Sequence, residues 1–160
     1  ALADVPRLRS LGVVASMQPT HATSDMPWAE ARLGNERLAG AYAWRRVLDS
    51  GARVAWGSDF PVERVNPALG LHAAVTRTDE AGRPAGGWLP DQRISFEEAV
   101  RGFSAGAAFA AFEEDWRGRA AVGHAADLTV FDGDLEAPGA LPRAKVTLTL
   151  VGGKIVFERR

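Results

Sequence analysis

Two short apolar runs constrain this chain most. Val13-Val14-Ala15-Ser16-Met17 and Arg53-Val54-Ala55-Trp56-Gly57 are the kind of run expected for strands buried on both faces, as in a parallel sheet. Pro19 ends the first and Pro61 follows the second. Helix-like segments flank both, which is the order of a parallel α/β unit. Two such strands alone leave unpaired edges and uncovered apolar faces. The chain therefore reads as part of a larger sheet.

The helical signals are local. Asp4 and Pro6 open a helix that Gly12 stops. Asn35 is expected to cap a helix running to Ser50, with Gly51 closing it in a left-handed conformation. Thr20 to Leu33 mixes Pro, Ser, Asp and Trp and reads as a long loop with a helical turn. Pro67 to Thr76 reads as a helix and Asp79 to Pro90 as a loop. Ser95 and Glu98 form a capping box for a helix reaching Ala111, whose Ala105, Gly106, Ala107 and Ala108 permit close packing on a sheet.

Near residue 118 the pattern changes. Ala126–Phe131 reads as a strand and Asp132-Gly133-Asp134 as a turn. Val146, Leu148 and Leu150 alternate with Thr147 and Thr149, the period of a half-buried strand. Gly152-Gly153 then makes a two-residue hairpin turn into Lys154–Phe157. The expected division is 1–118, an α/β part, and 119–160, antiparallel β structure.

Composition excludes several classes. A net charge of -1, with 46% hydrophobic and 24% charged residues, fits a soluble globular protein and argues against a broad basic face for nucleic acid. No run approaches the roughly 18 apolar residues of a membrane span. Cytoplasm is the default compartment. There is no cysteine, so disulfides, cysteine-ligated zinc and thiol nucleophiles are excluded. The three histidines, His21, His72 and His124, form no HxH or HxxxH pair. A catalytic zinc usually takes three protein ligands and a water, more than these spacings supply.

Asp59 is the strongest candidate for chemistry. It follows an apolar strand at its carboxyl end, where α/β barrels carry their sites. A carboxylate there binds a metal or accepts a proton; the plain alternative is a turn cap ahead of Pro61. His21 lies just past the other strand and shares Asp59's end of the sheet if the two run parallel. It could bind substrate or metal, or simply bond backbone in a loop. Glu63 reads as a solvated loop charge, His72 as structural, and His124 as a turn residue. Trp28 and Trp88 fall in expected loops and could line a pocket. No phosphate-binding loop or nucleophile elbow is present.

Taken together, Gly12–Pro19 with His21, Gly57-Ser58-Asp59-Phe60-Pro61-Val62-Glu63, the capping-box helix with Gly106-Ala107-Ala108, Ala126-Asp127-Leu128 and Val151-Gly152-Gly153-Lys154 resemble the amidohydrolase superfamily, within it the YtcJ-like metal-dependent amidohydrolases. The resemblance covers nearly the whole chain. It implies the carboxyl-terminal part of a (β/α)8 TIM barrel, about strands 7–8, followed by strands of a small β-sandwich. Val13–Met17 would be the seventh strand and Val54–Ser58 the eighth. It implies that Asp59 is both metal ligand and catalytic proton shuttle, and that His21 binds substrate. A divalent metal, zinc, as one or two ions in the full enzyme, and a small amide-type substrate follow from it. The ligands of the earlier strands have no counterpart in this chain. The expected partner is the missing N-terminal barrel segment, with self-association as a further expectation. Hydrolysis of amide or cyclic amide C–N bonds is the leading expectation, with the isolated chain inactive. A non-catalytic module derived from a barrel half is the alternative.

Overall fold

The computed structural model describes residues 2–137 and 139–160. Helix α1 spans Val5–Ser10, with Pro6 in its first turn, and leads into strand β1, Val14–Met17. Strand β2 is Arg53–Trp56. The two pair in parallel, Val14 opposite Arg53 and Met17 opposite Trp56, so their carboxyl ends coincide. They form a two-stranded sheet.

The segment after β1 is not the expected loop. It is helix α2, Pro19–Leu33, the longest in the described residues. Pro19 starts it, where a missing N–H costs nothing, and Pro27 lies inside it. Beyond Pro19 its buried face consists of small side chains, Ala22 and Ala29, two turns apart, and α2 packs on α5 (Pro67–Thr76). A face of alanines carries little hydrophobic signal, which is why the sequence reads as polar loop. Trp28 accordingly sits on a helix rather than in a loop, and is about half exposed.

The expected helix from Asn35 to Ser50 is broken in two: α3, Asn35–Leu38, and α4, Trp44–Asp49. Asn35 is the first helical residue, and Gly34 holds the cap position. The break is made by distant contacts. Tyr42 adopts φ +49, its hydroxyl donates to Asp25 on α2, and its carbonyl accepts from the Arg77 guanidinium at 2.9 Å. Gly51 closes α4 with φ +76, as expected.

Arg77 is fully buried. Its guanidinium lies 4.1 Å from the Trp44 ring centroid and donates to the Trp88 carbonyl at 2.8 Å. Burial pushes it down to about 10. Trp88 packs on Tyr42 with the rings tilted by 59° and their centroids 5.3 Å apart, so it braces the core. Around these sit Trp44, Val47, Val54, Trp56, Leu71 and Ile94, with the Trp44 and Trp56 rings edge to face at 5.9 Å.

The Ser95–Glu98 capping box forms as expected. The helix beyond it is not uniform: α6, Phe96–Arg101, passes through a π-helical segment, Gly102–Gly106, into α7, Ala107–Ala110. A Cβ on Gly102 would overlap the Trp56 indole, and one on Gly106 the Val54 carbonyl. Both glycines let the helix lie directly on β2.

Strands β3 (Leu128–Phe131), β4 (Val146–Val151) and β5 (Lys154–Glu158) form a separate antiparallel sheet in that order. Gly152 and Gly153 turn the last hairpin with φ +56 and +78. Among the described residues no helix is long and apolar enough to cross a membrane.

Candidate functional site

Parallel pairing brings the two sequence-predicted residues together. The Gly57 N–H donates to the Met17 carbonyl at 3.1 Å, carrying the register past the strand ends. Asp59 follows on one side. On the other, α2 begins at once and holds His21 in its first turn rather than in a loop, its N–H donating to the Gln18 carbonyl. His21 Nε2 lies 3.9 Å from Asp59 Oδ2. That is a charge-pair distance and too long for a hydrogen bond.

Asp59 adopts φ +54, a left-handed conformation that aspartate tolerates better than most residues and that often marks a functional position. Its carbonyl accepts from the Val62 N–H at 2.8 Å. Its carboxylate takes no hydrogen bond from the turn among the described residues, so the geometry is not that of a side-chain cap. The side chain is 56% exposed. His21 Nε2 is buried and makes no hydrogen bond, a costly state for a ring nitrogen.

An unpartnered imidazole nitrogen facing a free carboxylate offers the donor types a divalent metal takes. Among the described residues no three His, Asp or Glu side chains converge. The Asp59 carboxylate therefore fits one ligand of a metal centre with His21 beside it, and further donors would have to come from elsewhere.

Two clefts adjoin this end of the sheet and share Thr20. One, of ≈ 130 Å³, is lined by Thr20, Thr23, Glu63, His72 and Thr78 among others. The second, of ≈ 210 Å³, is lined by Thr20, Ser58, Asn66 and Phe103 among others. Thr20 Oγ1 is buried without a partner. Sequence reasoning gave Thr20 and Ser58 no weight, although each directly precedes a candidate. Glu63 is not a fully solvated charge: it is half-buried and lines the first cleft. His72 is structural, buried on α5 with Nε2 donating to the Asp79 carbonyl at 2.9 Å. The ring nitrogens of His124 have no partner among the described residues.

The model of the amidohydrolase family matches residues 2–157. The chain belongs to that family. It is 32% identical over 157 residues to the Bacillus subtilis protein YtcJ, covering 97% of this chain and 30% of that one. It is 31% identical over 159 residues to the N-substituted formamide deformylase of Arthrobacter pascens, covering 96% of this chain and 28% of the relative. The chain thus spans less than a third of each relative's length. Among solved structures it resembles a metal-dependent hydrolase from Pyrococcus horikoshii OT3, with TM-score 0.73 and 27% identity over 84% of this chain and 27% of that one. This amidohydrolase chain thus has a mixed α/β architecture and structural neighbours that are metal-dependent hydrolases.

Proposed function

We propose that this amidohydrolase chain supplies the carboxyl-terminal edge of a metal-dependent active site that hydrolyses amide-type C–N bonds. The observation that carries the reading is the buried, unpartnered His21 Nε2 facing the Asp59 carboxylate at 3.9 Å, where two parallel strands end together. The formamide deformylase name of one relative supports a C–N bond as the target. Family membership favours an enzyme over a non-catalytic module. In this reading β1 and β2 are the seventh and eighth strands of a (β/α)8 barrel. Residues 1–118 belong to that barrel and 119–160 to a small β-sandwich. An N-terminal barrel segment brings the remaining ligands and covers the open strand edges. The isolated chain is then inactive and associates with that segment or with itself.

Asp59 would hold the ion, a carboxylate oxygen being one of the donors that zinc takes. When bound, the ion supplies Lewis-acid polarisation of the substrate carbonyl. Asp59 takes the proton from the attacking water and passes it to the departing nitrogen. Its exposed, uncapped carboxylate is free to make both transfers. His21, anchored in the first turn of α2, donates a hydrogen bond to the substrate.

The test is kinetic and uses the enzyme that contains this chain, on an N-substituted amide. Asp59→Asn should lower kcat at least about a hundredfold, and His21→Ala should act mainly on KM. Near-normal turnover of the Asp59→Asn enzyme with metal bound would reduce Asp59 to a turn residue. For the isolated chain, metal analysis after dialysis should find no stoichiometric zinc.

A further inference from the structure

Gln18 joins β1 to α2, and the helix makes no use of its side chain. It is the cap residue of α2, in extended backbone with φ -125 and ψ 105, and forms no side-chain cap bond. Pro19 holds that conformation, since the residue before a proline is kept out of the helical region. Ser, Thr, Asn and Asp are the residues that cap a helix well, so a glutamine here does not serve α2. Among the described residues its side-chain amide has no hydrogen-bond partner, and the residue is half-buried.

The strand register fixes the face that Gln18 takes. Successive strand residues point to opposite faces. Ala15 and Met17 pack against the core, as do Val54 and Trp56 opposite them. Ser16, between the first two, is exposed. The extended backbone carries the alternation one residue further, so Gln18 shares the face of Ser16, away from the helices that cover Trp56. The Gly57 N–H bond to the Met17 carbonyl continues the ladder and sets Gly57 beside Gln18. A Cβ on Gly57 would meet nothing within 4 Å, so the space next to Gln18 is open. Asp59, with its exposed carboxylate, stands two residues beyond Gly57. Paired strands lie about 5 Å apart and each residue advances the chain by at most about 3.8 Å. Gln18 and Asp59 can therefore reach one small molecule between them.

A substrate amide offers a carbonyl oxygen and, where the nitrogen bears a single substituent, an N–H donor. In the reaction proposed above the carbonyl oxygen is polarised, Asp59 is engaged with the proton of the attacking water, and His21 acts as a donor. The substrate N–H is left without an acceptor. A glutamine supplies one in its Oε1. Being neutral, that oxygen does not compete with Asp59 for the proton.

We propose, on the strength of that reaction and depending on it, that Gln18 is a substrate-binding residue that sets the class of amide. Its Oε1 accepts a hydrogen bond from the substrate N–H, so the enzyme takes N-monosubstituted amides in preference to N,N-disubstituted ones.

The experiment compares N-butylformamide with N-butyl-N-methylformamide on the metal-loaded enzyme that contains this chain. The parent should show a kcat/KM several-fold to about tenfold higher on the first, the worth of one neutral hydrogen bond. Gln18→Leu removes the acceptor. It should lower kcat/KM on N-butylformamide by the same factor, mainly through KM, and leave the disubstituted amide little changed, so that the preference disappears. Gln18→Met, closer to glutamine in length, should do the same. Equal losses on both amides would make Gln18 a structural residue and overturn the proposal. A preference that survives in both variants would come from the bulk of the added methyl and overturns it too. So does a parent that hydrolyses the two amides equally, a result that needs no variant to fold. A parent inactive on both amides overturns the proposed reaction itself, and the role of Gln18 with it.

Discussion

The two sheets of this chain are built on opposite economies of burial. In the parallel pair, Val54, Ala55 and Trp56 of β2 are all buried, beneath helices that lie on the strand through Gly102 and Gly106. In the antiparallel sheet, every residue of β5 is exposed, including Ile155 at 60%, Val156 at 59% and Phe157 at 45%. Yet the second sheet is fully paired, with one register shift in each of its two ladders. Leu128 faces Leu150, Val130 faces Leu148, and Leu150 also faces Ile155, which places these aliphatic residues on one side. Backbone hydrogen bonds and turn chemistry are enough to specify a hairpin. They do not bury its apolar face. Pairing is local, whereas burial needs a second layer.

Substitutions can break that contrast. Trp44→Ala should cost about 3–5 kcal/mol in a denaturant unfolding experiment, because its ring is fully buried against Trp56 and Arg77. Phe157→Ala in the bare sheet should cost no more than about 0.5 kcal/mol. Equal losses would mean that the antiparallel sheet has a buried face after all.

Asp59 sharpens the comparison from the rim of the dense region. Asp59→Asn should cost at least about a hundredfold in kcat of the enzyme containing this chain. Its unfolding free energy should stay within about 0.5 kcal/mol of the parent, since the carboxylate is exposed and makes no hydrogen bond. A large stability loss would show that Asp59 works for the fold rather than the site.

At the base of α6, Ser95→Ala should remove about 1 kcal/mol, the usual worth of an N-cap, because its hydroxyl accepts from the Glu98 N–H. Denaturation midpoints read this directly. A smaller effect comes with acid. Burial raises the Glu98 carboxyl, but hydrogen bonds from Arg45 and Ser95 outweigh that and hold it below its usual value. The folded form thus binds its proton less readily than the unfolded chain. The stabilisation is present above the ordinary glutamate pKa, about 4.3, and fades as pH falls through the lower folded value. Thermal melts between pH 6 and pH 3, expected to lose this slope on Glu98→Gln, would check it.

Particular residues show how far the candidate site could be read in advance. The nearness of Asp59 and His21 was legible because each closely follows an apolar run, and parallel pairing brings the ends of the two runs together. Glu63 is half-buried and shares a cleft with Thr20 and Thr78, a proximity that nothing local in the sequence signals. Thr20 was overlooked because a hydroxyl beside a histidine has no pattern of its own. Its significance comes from being buried without a partner.

The fold divides along the same line. What the residues determined alone were the features whose energy is local: the capping box, the left-handed Gly51, the Gly152-Gly153 turn, the alternation of β4 and the start of α5 at Pro67. What only the tertiary structure decided were features set by distant partners. Helix α2 exists although its buried face offers only Pro19, Ala22 and Ala29, because close packing on α5 replaces bulk. The helix expected from Asn35 to Ser50 is broken because Asp25 and Arg77 hold Tyr42 in a left-handed turn. The helix after Ser95 carries a π segment where Gly102 and Gly106 meet Trp56 and Val54. Local propensity is worth tenths of a kcal/mol per residue, and burying one large side chain is worth several times that, so wherever the two compete, packing wins.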